Sequence, residues 1–146
     1  MKEDRLEIYR EIIDSTPVHR FLGVKIESMG DNQSTVSIPA DSHTLNAAGN
    51  LHGGVTYLVS DVAAFAALGP SLSGEEFCVT IDYNCSIYRA TSTGPVVFRA
   101  RVATRTRRLA FINVSVTDEK NVLLAEARVT KAITRSVPGP FKNRPV

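Results

Sequence analysis

The sequence predicts an α+β domain in which one antiparallel sheet surrounds one long apolar helix. The first observation is the run from Val55 to Leu68, which is apolar at most positions and stops at Gly69 and Pro70. The second is the alternation of apolar and polar residues from Phe77 to Tyr88, followed by further strand-like runs. The chain also has no internal repeat or linker, so residues 1–146 form a single domain. A helix that is apolar on nearly every side has to be covered, and a sheet built from these strands can cover it.

Two elements precede the central helix. Apolar residues recur at helical spacing from Asp4 to Ser15, and Pro17 closes that segment, so a short amphipathic helix is predicted at 4–15. Turn residues at 30–32 separate two short runs, which predicts a hairpin from about Gly23 to Pro39. A polar loop at 40–51 then leads into the helix.

Four strands are predicted after the helix. In the first, Thr80 is expected on a polar face, opposite a face that carries Phe77, Val79, Ile81, Tyr83, Cys85 and Ile87. The same alternation puts Cys78 and Cys85 on opposite faces, about 23 Å apart, where they could not form a disulfide. The core should extend over about residues 20–134, with a loose tail at 136–146. The predicted strands are 77–88, 95–106, 109–118 and 121–133.

The charge balance limits the kinds of partner. A formal net charge of +2 gives no reason to expect nucleic acid or a membrane surface as a partner. The N-terminal segment mixes acids with bases and lacks the apolar run of a signal peptide. The two cysteines lack metal-ligand spacing and fit small packing residues in a reducing compartment. We therefore expect a cytoplasmic protein that uses no metal.

A single carboxylate stands inside the apolar run. From Ser42 to Gly74, Asp61 is the only residue of the types Asp, Glu, Lys and Arg. An isolated buried carboxylate is costly, so Asp61 must be paired, protonated or used in chemistry.

An ordered set of residues around this acid resembles a known family. Asn46, Gly49, His52, Gly53, Gly54 and Asp61 are followed by "VTIDYN", "RLAF" and "LLAEARVTK". This set, over about residues 20–134, resembles hotdog-fold acyl-CoA thioesterases, in the branch of the phenylacetate-pathway thioesterases and thioesterase superfamily members. The resemblance implies a hotdog fold, an acyl-CoA substrate, no cofactor, and homodimers that pair into a dimer of dimers.

The chemistry of thioester hydrolysis fits the same residues. The reaction needs a donor for the developing oxyanion and a carboxylate that acts as general base or nucleophile. Gly53 and Gly54 lie at the helix N-terminus, where backbone N–H groups are free and a substrate carbonyl can approach closely. Asp61 would supply the carboxylate. The alternatives are that the glycines only allow a tight turn and that Asp61 is a structural acid with a polar partner.

The helical spacing separates these two groups. Eight residues at 1.5 Å per residue place Asp61 about 12 Å along the axis from Gly53. Reacting groups have to lie within about 3–3.5 Å of their targets, so the two would have to act from different subunits. An antiparallel helix pair across a two-fold axis, with two identical sites at the interface, satisfies this requirement.

The resemblance assigns further residues to the site. His52 would line it near the thioester, Asn46 would orient the thioester or water, and Thr80 would hold the attacking water. The alternatives are a histidine bonded within its loop, an asparagine that serves a turn, and a threonine chosen for strand propensity. Gly54 and the basic residues Arg105, Arg107 and Arg108 are candidates for binding the substrate. The arginines would bind the phosphates of coenzyme A. The alternative is that they only form a solvated turn.

Two other functional classes remain open. A hotdog hydratase or dehydratase would need a histidine and an acid that converge on one substrate carbon, which the position of His52 at the helix start fits less well. A non-catalytic acyl-binding module would need none of this chemistry. The sequence contains neither a nucleophile elbow nor a zinc pattern. The acyl group itself cannot be ranked, because two chains would form its pocket.

Overall fold

The computed structural model describes residues 2–139, with side chains from residue 4. It contains one six-stranded antiparallel sheet, in the order β1-β2-β4-β5-β6-β3, and a central helix, α3, that packs on the sheet. The predicted α+β architecture is confirmed. The predicted tail falls largely outside the described residues. The elements are α1 (Lys2–Ser15), α2 (Pro17–Phe21), β1 (Lys25–Gly30), β2 (Gln33–Ile38), α3 (Gly53–Leu68), a 3₁₀ turn (Gly69–Ser71), β3 (Phe77–Ile87), β4 (Val96–Arg105), β5 (Leu109–Thr117) and β6 (Leu123–Thr134).

The core lies between α3 and the sheet. One side of the helix is rich in alanine, and Ala63, Ala64 and Ala67 are almost fully buried. Small side chains let a helix approach a sheet closely, and the larger sheet residues fill the remaining space. Those fully buried sheet residues include Val36, Phe98, Ile112 and Val129.

The hairpin of β1 and β2 follows from its turn residues. Asp31 and Asn32 both have positive φ values, 51° and 61°. This is the backbone of a two-residue type I′ turn, which asparagine and aspartate tolerate better than most residues. The turn signal at 30–32 therefore gave the correct hairpin.

Strand β3 differs from the regular alternation expected for it. A bulge between Thr80 and Asp82 inserts one extra residue, so the strand changes phase. Val79 and Ile81 are exposed, at 43% and 57%, although they were predicted to share the face of Tyr83. The prediction of one continuous apolar face is wrong at its N-terminal half.

Because of the same bulge, the predicted placement of the two cysteines on opposite faces is wrong. Cys78 belongs to the core, and Cys85 packs against that core, so they do not lie on opposite faces. Both thiols are free. Burial raises the pKa of Cys78 to about 11 and also raises the pKa of Cys85. Both are protonated packing residues at neutral pH.

Helix α1 covers the end of α3. The Tyr9 ring contacts the backbone at Gly69, where a Cβ atom would collide with it. Tyr9 also packs against Phe65, with ring centroids 5.3 Å apart. In the described part of the chain, no helix is both long and apolar enough to cross a membrane.

Candidate active site

The first turn of α3 is capped by His52. Its Nδ1 atom accepts a hydrogen bond from the Gly54 N–H at 2.9 Å. Because Nδ1 is the acceptor, the ring hydrogen of the neutral imidazole lies on Nε2, which leaves that N–H as a donor. The bond of the His52 side chain thus goes to the helix and not to its own loop, and the predicted place of His52 near the thioester stays a prediction. Among the described residues, His52 Nε2 makes no hydrogen bond.

The cap distinguishes the two glycines. The Gly54 N–H is occupied by His52, so the predicted contact of Gly54 with substrate would have to be made without it. The Gly53 N–H has no hydrogen-bond partner among the described residues. It lies at the first position of the helix, where the dipole favours negative charge. Gly53 is therefore the better placed of the two as an oxyanion donor.

Asn46 serves its loop through one end of its amide. Its Oδ1 atom accepts the Ala48 and Asn50 N–H groups at 3.0 and 3.1 Å, which also fixes the orientation of the amide. The loop role considered for this asparagine is thus present, and its NH₂ group is left as a donor. Asn46 and Gly53 line a cavity of about 310 Å³, together with Tyr88, Arg89, Leu124 and others. Sequence reasoning missed Arg89 in this cavity.

Asp61 lies in a compact polar cluster at mid-helix. The Thr80 hydroxyl donates to Asp61 Oδ1 at 2.7 Å. Lys131 Nζ donates to the same oxygen at 2.9 Å and to Thr80 Oγ1 at 2.8 Å. Of the options open for an isolated acid, pairing is present, and 39% of the Asp61 side chain is still exposed. The structure thus brings together Asp61 and Thr80, two of the predicted site residues.

Lys131 was missed as a member of the site. Its side chain is only 3% exposed and comes from β6, 70 residues beyond Asp61 in the chain. A signal was available, because Lys131 continues the inward-facing positions Ala127 and Val129 of β6. A lysine on the buried face of a strand needs a counter-ion, and Asp61 is the only acid in the helix that the sheet surrounds.

The groups at Gly53 and Asp61 are separate within one chain. A Cβ atom at Gly53 would lie 3.3 Å from the Ile87 side chain, whereas Asp61 is bonded to Thr80. Thr80 and Ile87 are near opposite ends of β3. Without the extra residue of the bulge, six steps of 3.3 Å place them about 20 Å apart. Gly53 and Asp61 of one chain therefore do not converge, and each marks a separate candidate half-site.

Tyr57 lies between the half-sites on the same helix face. It is four residues after Gly53 and four before Asp61, and its side chain is 43% exposed. It stacks on Tyr83 at 5.0 Å and donates to the Cys85 carbonyl at 3.1 Å. Burial raises the pKa of Tyr83. The two stacked rings thus cover the helix face between positions 53 and 61.

The three arginines proposed for phosphate binding have different surroundings. Arg105 pairs with Glu76 at 3.0 Å and donates to the Ser71 carbonyl at 3.2 Å, so it links β4 to the segment after α3. Arg107 and Arg108 are exposed in the turn between β4 and β5. The phosphate role of all three stays a prediction. No cluster of histidine, cysteine and acidic side chains that could hold a metal ion occurs in residues 4–139.

Comparison with known proteins identifies the family. The family model described as the thioesterase superfamily matches residues 48–125, more than half of the chain. This chain belongs to the thioesterase superfamily. The matched range contains Gly53, Asp61 and Thr80, whereas Lys131 lies beyond its end.

Individual relatives agree with this assignment. The chain is 27% identical over 113 residues to the 1,4-dihydroxy-2-naphthoyl-CoA hydrolase of Escherichia coli, a match that covers 77% of this chain and 83% of that protein. A thioesterase structure from Haemophilus influenzae superposes with a TM-score of 0.83 at 24% identity and covers 92% of this chain and 93% of that one. A mutant of the phenylacetic acid degradation protein PaaI from Thermus thermophilus superposes at 0.73, with 24% identity, over 80% and 98% of the two chains. The two structures confirm the predicted hotdog fold.

Proposed function

We propose that this protein is an acyl-CoA thioesterase that hydrolyses its substrate to a free acid and coenzyme A. A water oxygen bonds to the acyl carbon, the carbon–sulfur bond breaks, and the thiolate takes up a proton. Asp61 acts either as the general base that accepts a proton from water or as the nucleophile of a covalent intermediate. Membership of the thioesterase superfamily supports hydrolase activity, and the free Gly53 N–H at a helix N-terminus carries the proposal for the oxyanion.

The separation of the half-sites supports a homodimer. If Gly53 of one subunit meets Asp61 of the other, two α3 helices run antiparallel across a two-fold axis. The midpoint between positions 53 and 61 is 57, so Tyr57 would face its own copy at the axis. Its exposed ring on this helix face is consistent with such a contact. A further pairing of dimers, and a cytoplasmic location, remain proposals that rest on the resemblance and on the free cysteines.

The substrate class is supported by a relative and by the cavity. The Escherichia coli relative is named as a hydrolase of a naphthoyl-CoA thioester. Asn46 and Arg89 both line the cavity beside Gly53, so this cavity has polar side chains in its wall. Coenzyme A carries phosphates that arginine binds well. Arg89 therefore joins Arg105, Arg107 and Arg108 as a candidate for this contact.

The test is thiol release from a panel of short, long and aromatic acyl-CoAs by wild type, Asp61→Asn and Asp61→Ala. Circular dichroism and sedimentation first establish that each variant is a folded dimer. We expect both variants to lose activity by about a hundredfold or more, because the general base or nucleophile is gone. If wild type released no thiol above background, the non-catalytic acyl-binding module would replace this proposal. If Asp61→Asn were as active as wild type, Asp61 would be a structural acid and its proposed role would be refuted.

A further inference from the structure

Lys131 forms one corner of a closed triangle of hydrogen bonds. The triangle joins Lys131 Nζ, Asp61 Oδ1 and Thr80 Oγ1, with sides of 2.7, 2.8 and 2.9 Å. Lys131 is 3% exposed, so its ammonium group is enclosed by the protein. A substrate or a phosphate in the site would meet Asp61 and Thr80 before it reached this lysine.

The hydrogen bonds of the triangle involve only one of the two carboxylate oxygens of Asp61. The only proton of the Thr80 hydroxyl is directed to Asp61 Oδ1, and the hydroxyl oxygen accepts from Lys131. Asp61 Oδ1 therefore receives two hydrogen bonds. Asp61 Oδ2 receives none from the described residues. Since an ammonium group has no acceptor, the direction of the two bonds from Lys131 is fixed by chemistry.

The ammonium group is itself held in place. It lies 5.8 Å from the centroid of the Phe65 ring, within the range of a cation–π contact. The Phe65 ring is wedged between Tyr9 and Phe77, with centroids 5.3 and 6.1 Å away. The ammonium group therefore has two hydrogen-bond acceptors and an aromatic ring as neighbours, and these contacts favour its observed position beside the carboxylate.

We propose that Lys131 is a positioning residue that fixes Asp61 through Oδ1 and leaves Oδ2 as the oxygen that acts on water or on the acyl carbon. The inference rests on the proposed thioesterase function. Removal of Lys131 frees the carboxylate to rotate and allows Thr80 to donate its proton elsewhere. Because the lysine does not touch the substrate, its loss should lower kcat and leave KM nearly unchanged.

The first test compares Lys131→Met with wild type and with Lys120→Met. Methionine keeps the length of the stem but lacks the donors, and Lys120 is an exposed turn residue that serves as a matched control. Asp61 is partly solvated, so water can replace the lost pairing and the variant should fold. We expect kcat for Lys131→Met to fall by about tenfold or more with KM within about threefold, and no change for Lys120→Met. An unchanged kcat, or a higher KM alone, would overturn the positioning role.

A second variant tests the role of the donors. Lys131→Ala removes the atoms from Cγ to Nζ, which correspond to one molecule of propylammonium. We expect propylammonium to restore kcat in a saturable way at constant ionic strength, and tetramethylammonium, which has no N–H donor, to restore nothing. Equal recovery with both cations would refute the hydrogen-bonding role. Asp61→Asn is the control for direct aminolysis of the thioester.

A crystal structure of Lys131→Met separates this inference from the proposed function. We expect the Asp61 carboxylate to rotate and its bond to Thr80 to be lost. A carboxylate that superposes on that of wild type would overturn the positioning role, whatever the activity. Absence of thiol release by wild type would instead overturn the thioesterase function, and the carboxylate orientation would still decide the role of Lys131.

Discussion

Replacement of Gly53 by proline would remove the proposed oxyanion donor with little change to the helix. Proline has no backbone N–H, and it is well tolerated at the first position of a helix. The preceding residue also suits proline, because His52 has an extended backbone with φ −66° and ψ 129°. No hydrogen bond among the described residues is lost, since the Gly53 N–H makes none there.

The expected size of the effect follows from the role of the donor. Loss of one oxyanion donor typically lowers kcat by about 10²–10³-fold, or about 2.7–4 kcal/mol. The matched control is Gly53→Ala, which keeps the N–H and adds a Cβ atom. That atom would lie 3.3 Å from the flexible end of Ile87, so a shift of the side chain can accommodate it. We expect the alanine variant to lose no more than about 1 kcal/mol, or roughly fivefold in rate.

The assay is thiol release at saturating acyl-CoA, with thermal unfolding and sedimentation as controls for folding and assembly. Equal activity of the proline and alanine variants would refute the oxyanion role, because only the proline lacks the N–H. The proline variant could instead be unfolded or monomeric while the alanine variant is intact. That result would show that the start of the helix needs a φ value at position 53 that proline cannot adopt. The helical φ expected at this position argues against that result.

The same variant tests whether the site is shared between subunits. A dimer with one Gly53→Pro chain and one Asp61→Asn chain has one site with both groups intact and one with neither. Coexpression in equal amounts gives half mixed dimers, so activity should recover to about a quarter of wild type. If both groups served a site within one chain, mixing would restore nothing. Recovery would also separate loss of chemistry from loss of folding, because each variant chain would have to supply a working half-site.

Two further predictions concern stability. Gly69→Ala should lower the free energy of unfolding by about 1–3 kcal/mol in urea titrations, because the new Cβ atom meets the buried Tyr9 ring. The control is Gly139→Ala, whose Cβ atom would have no other atom within 4 Å and should leave stability unchanged. Equal urea midpoints for the two variants would contradict this packing. The hydrogen bond from the Ser73 N–H lowers the pKa of Glu76 most, and the Arg105 guanidinium lowers it further. The ionised Glu76 side chain therefore stabilises the fold above the ordinary glutamate pKa of about 4.3, and this stabilisation is lost as the pH falls through the lower pKa of the folded state. Glu76→Gln should therefore be less stable than wild type at pH 7 and equal to it near pH 2, and a constant difference across that range would refute the electrostatic explanation.

The elements of this fold were predictable where local chemistry determines them. The Gly69 and Pro70 pair ended α3 at Leu68 as expected, and Asp31 and Asn32 adopted the positive φ values that their hairpin needs. Long-range contacts were less accessible. Arg105, which was predicted to bind phosphate, forms an ion pair with Glu76, 29 residues away in the sequence. The sequence around Arg105 did not indicate this partner.

The site was predictable as a set of residue types but not as a geometry. Asp61 and Thr80 are 19 residues apart and were both selected, and the structure joins them by a hydrogen bond. Lys131 was overlooked because Asp61 has no charged neighbour along the sequence, whereas the surrounding sheet brings a distant strand to the helix. The alternation in β6 already placed this lysine on the buried side.

The bulge in β3 explains how one strand can serve both the core and the site. Thr80 and Tyr83 are three residues apart, so a regular strand would direct them to opposite faces. With one extra residue between Thr80 and Asp82, both side chains reach α3, Thr80 at Asp61 and Tyr83 at Tyr57. The strand therefore presents a hydroxyl to the carboxylate at one end and an aromatic ring to the helix face at the other. A regular β3 would keep either the Thr80 contact or the Tyr83 stack, and the bulge is thus part of the construction of the site.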